Sequence, residues 1–216
     1  MKKVIAIDGP SGAGKTTVAK LVANSLGFNY LDTGALYRAI ALSLREKGID
    51  EKDNDEKIKH AIKDVEVRYI NGKVFLNKRD VSDMIRTKEI DHYSSVFSAR
   101  KIIRDFLLNS QRNAALFDNL VVEGRDTTTV VFPEAYKKIF LDASVDERAR
   151  RRFLQFKEKG IDITIEDARN SIIERDKRDE SRDLAPLAVA PDALLIDSSF
   201  LSIEDVVKII LDYVRN

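Results

Sequence analysis

The sequence predicts an α/β protein built on a parallel sheet, and three observations predict it. Short apolar, β-branched runs alternate along the chain with segments of helical period. The first run ends in a stretch of the form G-x-x-x-x-G-K-[ST] that leads straight into a helical pattern. The one antiparallel signal, Asn71-Gly72 between two short strand-like segments, sits inside the series and reads as an insertion in it.

Taken in order, Val4-Ile5-Ala6-Ile7 is the first strand. Val18, Leu21, Val22 and Leu26 then share one face of a helix that Gly27 ends. Phe28 to Leu31 reads as the second strand, and Ala35 to Lys47 as a helix closed by Gly48. Residues 50–63 are charged and predict an exposed helix. Val65 to Ile70 alternates over its first five residues, and Lys73 to Leu76 follows the Asn-Gly turn. That hairpin marks a small inserted subdomain of roughly 50–90.

A long helix from about Ser95 to Leu116 is expected next, then the strands Leu120–Glu123 and Ile139–Leu141. Ser144-Val145-Asp146-Glu147 has the form of a capping box, opening an Arg-rich helix that Gly160 breaks. A second charged helix runs from about Ile165 to Lys177. Pro186 and Pro191 bracket a loop before the last strand, Ala193–Asp197, and the last helix, 202–214. Repeats, linkers and low-complexity tracts are absent from the sequence, so residues 1–216 read as one domain.

Composition removes several function classes. With 44% hydrophobic and 34% charged residues the chain can bury a core and is not of the disordered type. Lys plus Arg total 37 against 36 Asp plus Glu, so no global field draws nucleic acid or an anionic membrane. The absence of Cys excludes disulfides, thiolate nucleophiles and Cys-based zinc sites. His60 and His92, the two histidines, read as surface residues and leave no triad or His-rich metal site. No apolar run reaches the ~18–20 residues of a membrane span. The N-terminal run ends on Asp8, too short and too acidic for a signal peptide, so a cytoplasmic protein is expected.

The stretch Gly9-Pro10-Ser11-Gly12-Ala13-Gly14-Lys15-Thr16 lies in the frame its chemistry needs, after a strand and before a helix. Glycines let successive N–H groups wrap a phosphate, and the helix N-terminus adds about half a positive charge. Lys15 can reach the β and γ phosphates of ATP, and the Thr16 hydroxyl can bind Mg2+. These eight residues and Thr17 are the predicted nucleoside-triphosphate-binding set.

The loop alone says only that the chain uses a nucleoside triphosphate. A GTP-binding switch is the reading from another class, since Asn77-Lys78-Arg79-Asp80 spells N-K-x-D. However, no D-x-x-G occurs between Thr16 and Asn77, and the tetrapeptide ends the hairpin rather than a buried parallel strand. It reads as a solvated turn. A nucleic-acid-stimulated ATPase is disfavoured because basic and aromatic residues form no stripe.

Beyond the loop, the chain resembles the bacterial cytidylate kinases, nucleoside-monophosphate kinases of the phosphate-loop class. Asp32-Thr33-Gly34-Ala35-Leu36-Tyr37-Arg38, Ile85-Arg86-Thr87, Glu123-Gly124-Arg125-Asp126, Val130-Val131-Phe132-Pro133, Arg175 to Arg182 and Ala185-Pro186-Leu187 carry the resemblance across nearly the whole chain. It implies a three-layer α/β fold with a five-stranded parallel sheet. It also implies a nucleoside-monophosphate-binding insertion of about 36–98 and a helical lid of about 145–182. The implied reaction is ATP-dependent phosphorylation of CMP and dCMP with Mg2+, by a protein with no nucleic-acid or membrane partner. A monomer is expected. A kinase for another acceptor (UMP, AMP or a small alcohol) is the alternative.

The residues suit that chemistry. A phosphate acceptor is mostly dianionic at neutral pH, with a second pKa near ~6, so no general base is required. Cations must instead converge on the reacting phosphates. Arg175, Arg178, Asp179 and Arg182 fall at i, i+3, i+4 and i+7, on one face if the helix persists. Arg148, Arg151 and Arg152 share another face, with a solvated surface the equal alternative.

By the resemblance, Lys15, Arg125, Arg175, Arg178 and Arg182 act on the transferring phosphoryl group. Asp32, Thr33, Tyr37, Arg38, Gly124 and Arg125 lie in acceptor-binding motifs, and Asp179 faces the sugar hydroxyls. Ser95 and Arg104 contact the cytosine ring, and Asp126 accepts from its amino group. The alternative for Asp126 is an ion pair that orients Arg125. One departure stands out: Thr128 occupies a position usually held by glycine, which would narrow the backbone approach near the acceptor.

Overall fold

The computed structural model describes residues 2–158 and 160–216. β1 (Val4–Asp8) is buried along its whole length and lies at the centre of a parallel sheet ordered β2-β6-β1-β7-β8. The other strands are β2 (Asn29–Asp32), β6 (Leu120–Glu123), β7 (Lys137–Asp142) and β8 (Leu194–Asp197). A strand covered on both faces needs apolar residues at every position, which is why β1 is a continuous run rather than an alternating one.

Its side chains divide by the period of two. Ile5 and Ile7 join Val18, Ala19 and Val22 of α1 (Lys15–Leu26) and Val206, Ile210 and Val214 of α8 (Ile203–Arg215). Val4 and Ala6 join Leu36, Ile40 and Leu44 of α2 (Thr33–Glu46) in the layer on the other side. Those three α2 side chains are at most 2% exposed, each worth ~1.5–3 kcal/mol of apolar burial.

The second layer extends into the insertion. α3 (Asp55–Ile62) adds Ile58, and an antiparallel sheet of β3 (Val67–Ile70), β4 (Lys73–Leu76) and β5 (Arg79–Asp80) adds Val74 and Leu76. The β3–β4 turn is the Asn-Gly hairpin the sequence announced, with Asn71 and Gly72 at φ 50° and 79°. Asn77 and Lys78 form a second tight turn at φ 47° and 70°, exposed to solvent, as the reading against a guanine-binding segment required.

Two expectations fail here. The helix anticipated from Ser95 to Leu116 is two helices, α4 (Lys88–Phe97) and α5 (Lys101–Asn113). Arg100 between them is extended (φ −81°, ψ 123°), and its guanidinium grips the carbonyls of Glu51 (2.7 Å) and Asp53 (3.3 Å). Arg104 binds the Ser98 carbonyl at 3.1 Å. These long-range bonds satisfy groups at the break, and no local pattern reveals them.

The capping box at Ser144 is only half made. Ser144 Oγ accepts from the Glu147 amide at 3.3 Å, but the Glu147 carboxylate turns to Arg150 and Arg151 and the Ser144 amide to Ser199 Oγ. The helix α6 (Val145–Glu158) forms regardless. α7 (Ile165–Ser181) opens with a complete box, Thr164 and Asp167, and runs one turn beyond the expected Lys177. Among the described residues no helix is long and apolar enough to cross a membrane.

Candidate active site

β2, β6 and β1 end in adjacent carboxylates, Asp32, Glu123 and Asp8, at the carboxyl edge of the sheet. Above that edge lies a cleft of about 690 Å³. Its walls are the 9–16 loop, the start of α2, the segment after β6, the helices α6 and α7, and Leu201 to Ile203. Open α/β sheets bind ligands at this edge because the connections diverge there.

The chain leaves β1 through Gly9 at φ 150°, where a Cβ would stand 1.9 Å from the Leu141 carbonyl oxygen. Only glycine permits that exit. Lys15 is buried and curls back over the loop, donating to the Gly9 carbonyl (2.7 Å) and the Pro10 carbonyl (2.6 Å). Burial and the nearby Arg125 guanidinium push its ammonium down to about 7. Ser11, Gly12, Gly14, Lys15, Thr16 and Thr17 line the cleft. Gly9, Pro10 and Ala13 do not; they shape the loop, and the Ala13 carbonyl accepts from Arg151 (3.3 Å).

α6 and α7 rest directly on this loop. The Ser11 amide donates to Asp176 Oδ1 (2.9 Å), while its carbonyl accepts from Arg148 Nη1 (3.0 Å). Arg148 and Asp176 are paired with each other and buried. Of the three arginines sharing a face of α6, Arg148 therefore holds the loop rather than facing a reactant, whereas Arg151 and Arg152 line the cleft.

At the strand ends, burial and the neighbouring Asp32 push the Glu123 carboxyl up, and Tyr30 donates its hydroxyl to it. Asp32 caps α2 through the Ala35 amide (2.9 Å) and receives Arg86 at 3.1 Å. Thr33 Oγ1 donates to the Glu123 carbonyl (2.8 Å). Asp8 is saturated: it accepts from the amides and hydroxyls of both Thr127 and Thr128, at 2.7–3.0 Å. Thr128, which stands where the resemblance has glycine, thus has a local partner. Its side chain points to Asp8 and is not part of the cleft wall.

At the Asp126 end of the cleft the pairing is specific. Asp126 pairs with Arg104, both buried, rather than with Arg125. Burial pushes the Asp126 carboxyl up despite that partner. Arg125 Nε instead donates to Asp179 Oδ2 at 2.9 Å. Burial would raise the Asp179 carboxyl, but Arg125, Arg175 and Arg182 outweigh it and hold it below the usual carboxylate range. Tyr37 is buried against Arg104, whose guanidinium lies 5.7 Å from the ring centre.

Asp32, Thr33, Tyr37, Arg38, Arg104, Gly124, Arg125, Asp126, Arg175, Asp179 and Arg182 all line the cleft. Beyond the loop, two predicted residues do not. Arg178, about 60° around α7 from Arg175, turns to the ring of His92 at 3.4 Å. Ser95 is buried without lining the cleft; Ser94 and Ser98 line it, and Ser98 Oγ accepts from Arg182 Nη1 at 3.4 Å. Sequence reasoning missed the roles of Arg86 and Glu123, which sat in quoted motifs, and left Arg152 undecided. It missed Asp91 and Ser98 outright, for which it held no signal.

Several buried donors at the cleft have no hydrogen-bond partner among the described residues: Arg152 Nε, Arg175 Nε, and Arg182 Nε and Nη2. Leaving such groups buried and unpaired is costly, and anionic oxygens are the acceptors that suit them. The arrangement can hold polyanions at both ends and neutralise charge between them.

The cytidylate kinase family model matches residues 5–216. A cytidylate kinase of Thermodesulfovibrio yellowstonii is 51% identical over 215 residues, covering 98% of this chain and 97% of the relative. A cytidylate kinase of Thermosipho melanesiensis is 48% identical over 211 residues, covering 98% and 96%. In fold, the chain is similar to the shikimate kinase structure from Acinetobacter baumannii, with a TM-score of 0.51 at 17% identity, covering 100% of this chain and 94% of that one.

Proposed function

The chain belongs to the cytidylate kinase family, and from that premise we propose how its cleft phosphorylates CMP and dCMP with ATP. ATP lays its phosphates along the 9–17 loop, with Lys15 on the β and γ groups. Its base lies toward Leu154, Leu201 and Ile203, the apolar part of the cleft wall. Residues of about 36–98 bind the acceptor, and about 145–182 form a lid that excludes water.

The acceptor's α-phosphate lies among Arg38, Arg125, Arg175 and Arg182. One of its oxygens attacks the γ-phosphorus in line, and the bond from that phosphorus to the β-bridging oxygen breaks. ADP leaves with that electron pair. No side chain has to remove a proton, because the acceptor is already mostly dianionic. Asp126 accepts from the cytosine amino group, and Asp179 from the sugar hydroxyls.

The residues fit Mg2+ bound chiefly through phosphates and water. Thr16 offers a hydroxyl at the cleft, and among the described residues no group of three carboxylates or histidines forms a cage. The ion, when bound, supplies charge neutralisation between the phosphates.

The observation that carries this reading is the convergence, on one cleft, of the Lys15 loop with arginines from α2, α6 and α7 and from the segment after β6. A coupled ADP-release assay with Mg·ATP against CMP, dCMP, UMP, AMP and GMP tests it. Turnover is expected with CMP and dCMP, weaker with UMP and near background without acceptor. Acceptor-independent ATP turnover, or a purine as the best acceptor, would refute it.

A further inference from the structure

Three of the guanidiniums that line the cleft converge on one carboxylate behind them. Asp91 of α4 accepts on Oδ1 from Arg38 Nη2 of α2 (3.0 Å) and from Arg175 Nη1 of α7, and on Oδ2 from Arg152 Nη2 of α6 (2.7 Å). The four side chains are only 12–17% exposed. The arginines form part of the cleft wall, but Asp91 does not. Its carboxylate therefore stands outside the space a reactant would take.

Asp91 also leaves the arginines most of their binding capacity. A guanidinium has five N–H donors, and Asp91 takes one from each. The Nε groups of Arg152 and Arg175 remain buried with no hydrogen-bond partner among the described residues, though Asp179 Oδ2 stands 3.9 Å from Arg175 Nε. Three cations against Asp91 leave net positive charge at the cleft, offset in part by Asp179. Burial would raise the Asp91 carboxyl, yet the guanidiniums of Arg175, Arg38 and Arg152 outweigh it and hold it well below the carboxylate range.

With the cleft read as the transfer site, the three arginines come from parts of the chain that must meet for transfer: Arg38 from the acceptor-binding region of about 36–98, Arg152 and Arg175 from the lid. Without a shared counter-ion their mutual repulsion would splay them. The other contacts between α4 and the lid are weak. Arg178 meets His92 at an exposed 3.4 Å, and Lys88 lies 5.5 Å from the centre of the Phe156 ring.

We propose that Asp91 is a positioning residue for the transfer, a latch that ties the lid to α4 and aims Arg38, Arg152 and Arg175 at the reacting phosphates. This rests on reading the cleft as the phosphoryl-transfer site. Donors fixed before the reactants arrive need no reorganisation as charge moves, and misplacement by about 1 Å can cost ~100-fold in rate.

The test is Asp91→Asn, which keeps the shape and removes the charge, with Asp91→Glu as the charge-retaining partner. Because the chain has no Cys, spin labels can be placed on the full chain at Lys52→Cys, beside α3, and Asn170→Cys, on the lid; both positions are exposed. Without substrates, D91N is expected to lengthen and broaden the label distance relative to the native protein, with D91E close to native. With CMP, kcat/KM of D91N should fall roughly 10- to 100-fold at unchanged foldedness by circular dichroism, and D91E should recover most of it.

An unchanged label distance in D91N would overturn the latch. So would a lower KM for CMP, since Asp91 would then be a stand-in that competes with the acceptor phosphate. A folded D91E that loses both readouts would overturn it too. The distance measurement uses no acceptor, so it decides the latch even if the native protein were to prefer another nucleotide.

Discussion

Lys15 gives the sharpest quantitative expectation. Its ammonium is buried against loop carbonyls, and burial together with Arg125 depresses it to about 7, from 10.5. Above pH 7 the lysine of the empty cleft is therefore mostly neutral. ATP brings phosphate oxygens to the same atom, and an anionic partner favours the charged form, so binding restores the proton. At pH 8 a group with a pKa near 7 is about 90% deprotonated, so ATP binding should take up about 0.9 proton per site. The γ-phosphate, with its own pKa near ~6, is already ionised at pH 8 and adds little.

The assay is titration calorimetry of ATP into the substrate-free protein, in buffers of different ionisation enthalpy. The slope of observed heat against buffer enthalpy is the number of protons taken up. Affinity should correspondingly weaken about tenfold per pH unit between 7 and 10. The stability of the empty protein runs with the opposite sign. A depressed lysine favours folding above its unfolded pKa, and that contribution is lost as pH falls from 10.5 toward 7. Lys15→Met should abolish the uptake in whatever binding remains. A native slope of zero at pH 8 would show that Lys15 keeps its proton in the empty cleft, and would refute the argument.

Three further outcomes are expected. Asp126→Asn should erase most of the preference for CMP over UMP, a change of ~1–3 kcal/mol or roughly 5- to 150-fold in the ratio of kcat/KM; an unchanged ratio would move base reading elsewhere. Thr128→Val keeps the shape but removes one of four donors to Asp8, and should cost ~1–3 kcal/mol by urea unfolding; a neutral result would mean that Thr127 and the two amides suffice. Arg148→Met leaves Asp176 buried without its partner and should cost ~3–5 kcal/mol, with the double variant Arg148→Met/Asp176→Leu recovering part of it; if the double variant is no more stable than the single one, unpaired charge is not the cause.

Most of the fold was legible because its signals are local. The run Val4–Ile7, the glycine loop and the face of Val18 and Val22 each lie within a few residues of their structural consequence, whereas Leu21, read onto the same face, turns out to solvent at 40% exposure. Asn71-Gly72 likewise fixes its hairpin with two positive-φ positions. The split between α4 and α5 was not legible, because carbonyls of Glu51 and Asp53, about half a hundred residues away, hold Arg100 out of the helix.

For the site, the sequence by itself determined the reacting loop, the arginine-rich segments and, through its motifs, the family. Residue type sets which groups can bind phosphate, and short spacing sets which of them share an element. Only the tertiary structure decided which arginines face the cleft. Arg175 and Arg182 do, Arg178 turns to His92, Arg148 holds Ser11, and Arg152 joins Arg38 and Arg175 on Asp91. A guanidinium reaches several ångströms in any direction its stem allows, so its partner is chosen by whichever carboxylate packing brings near. For Asp91 that choice gathers three separate helices, and no property of one stretch of chain encodes such a meeting.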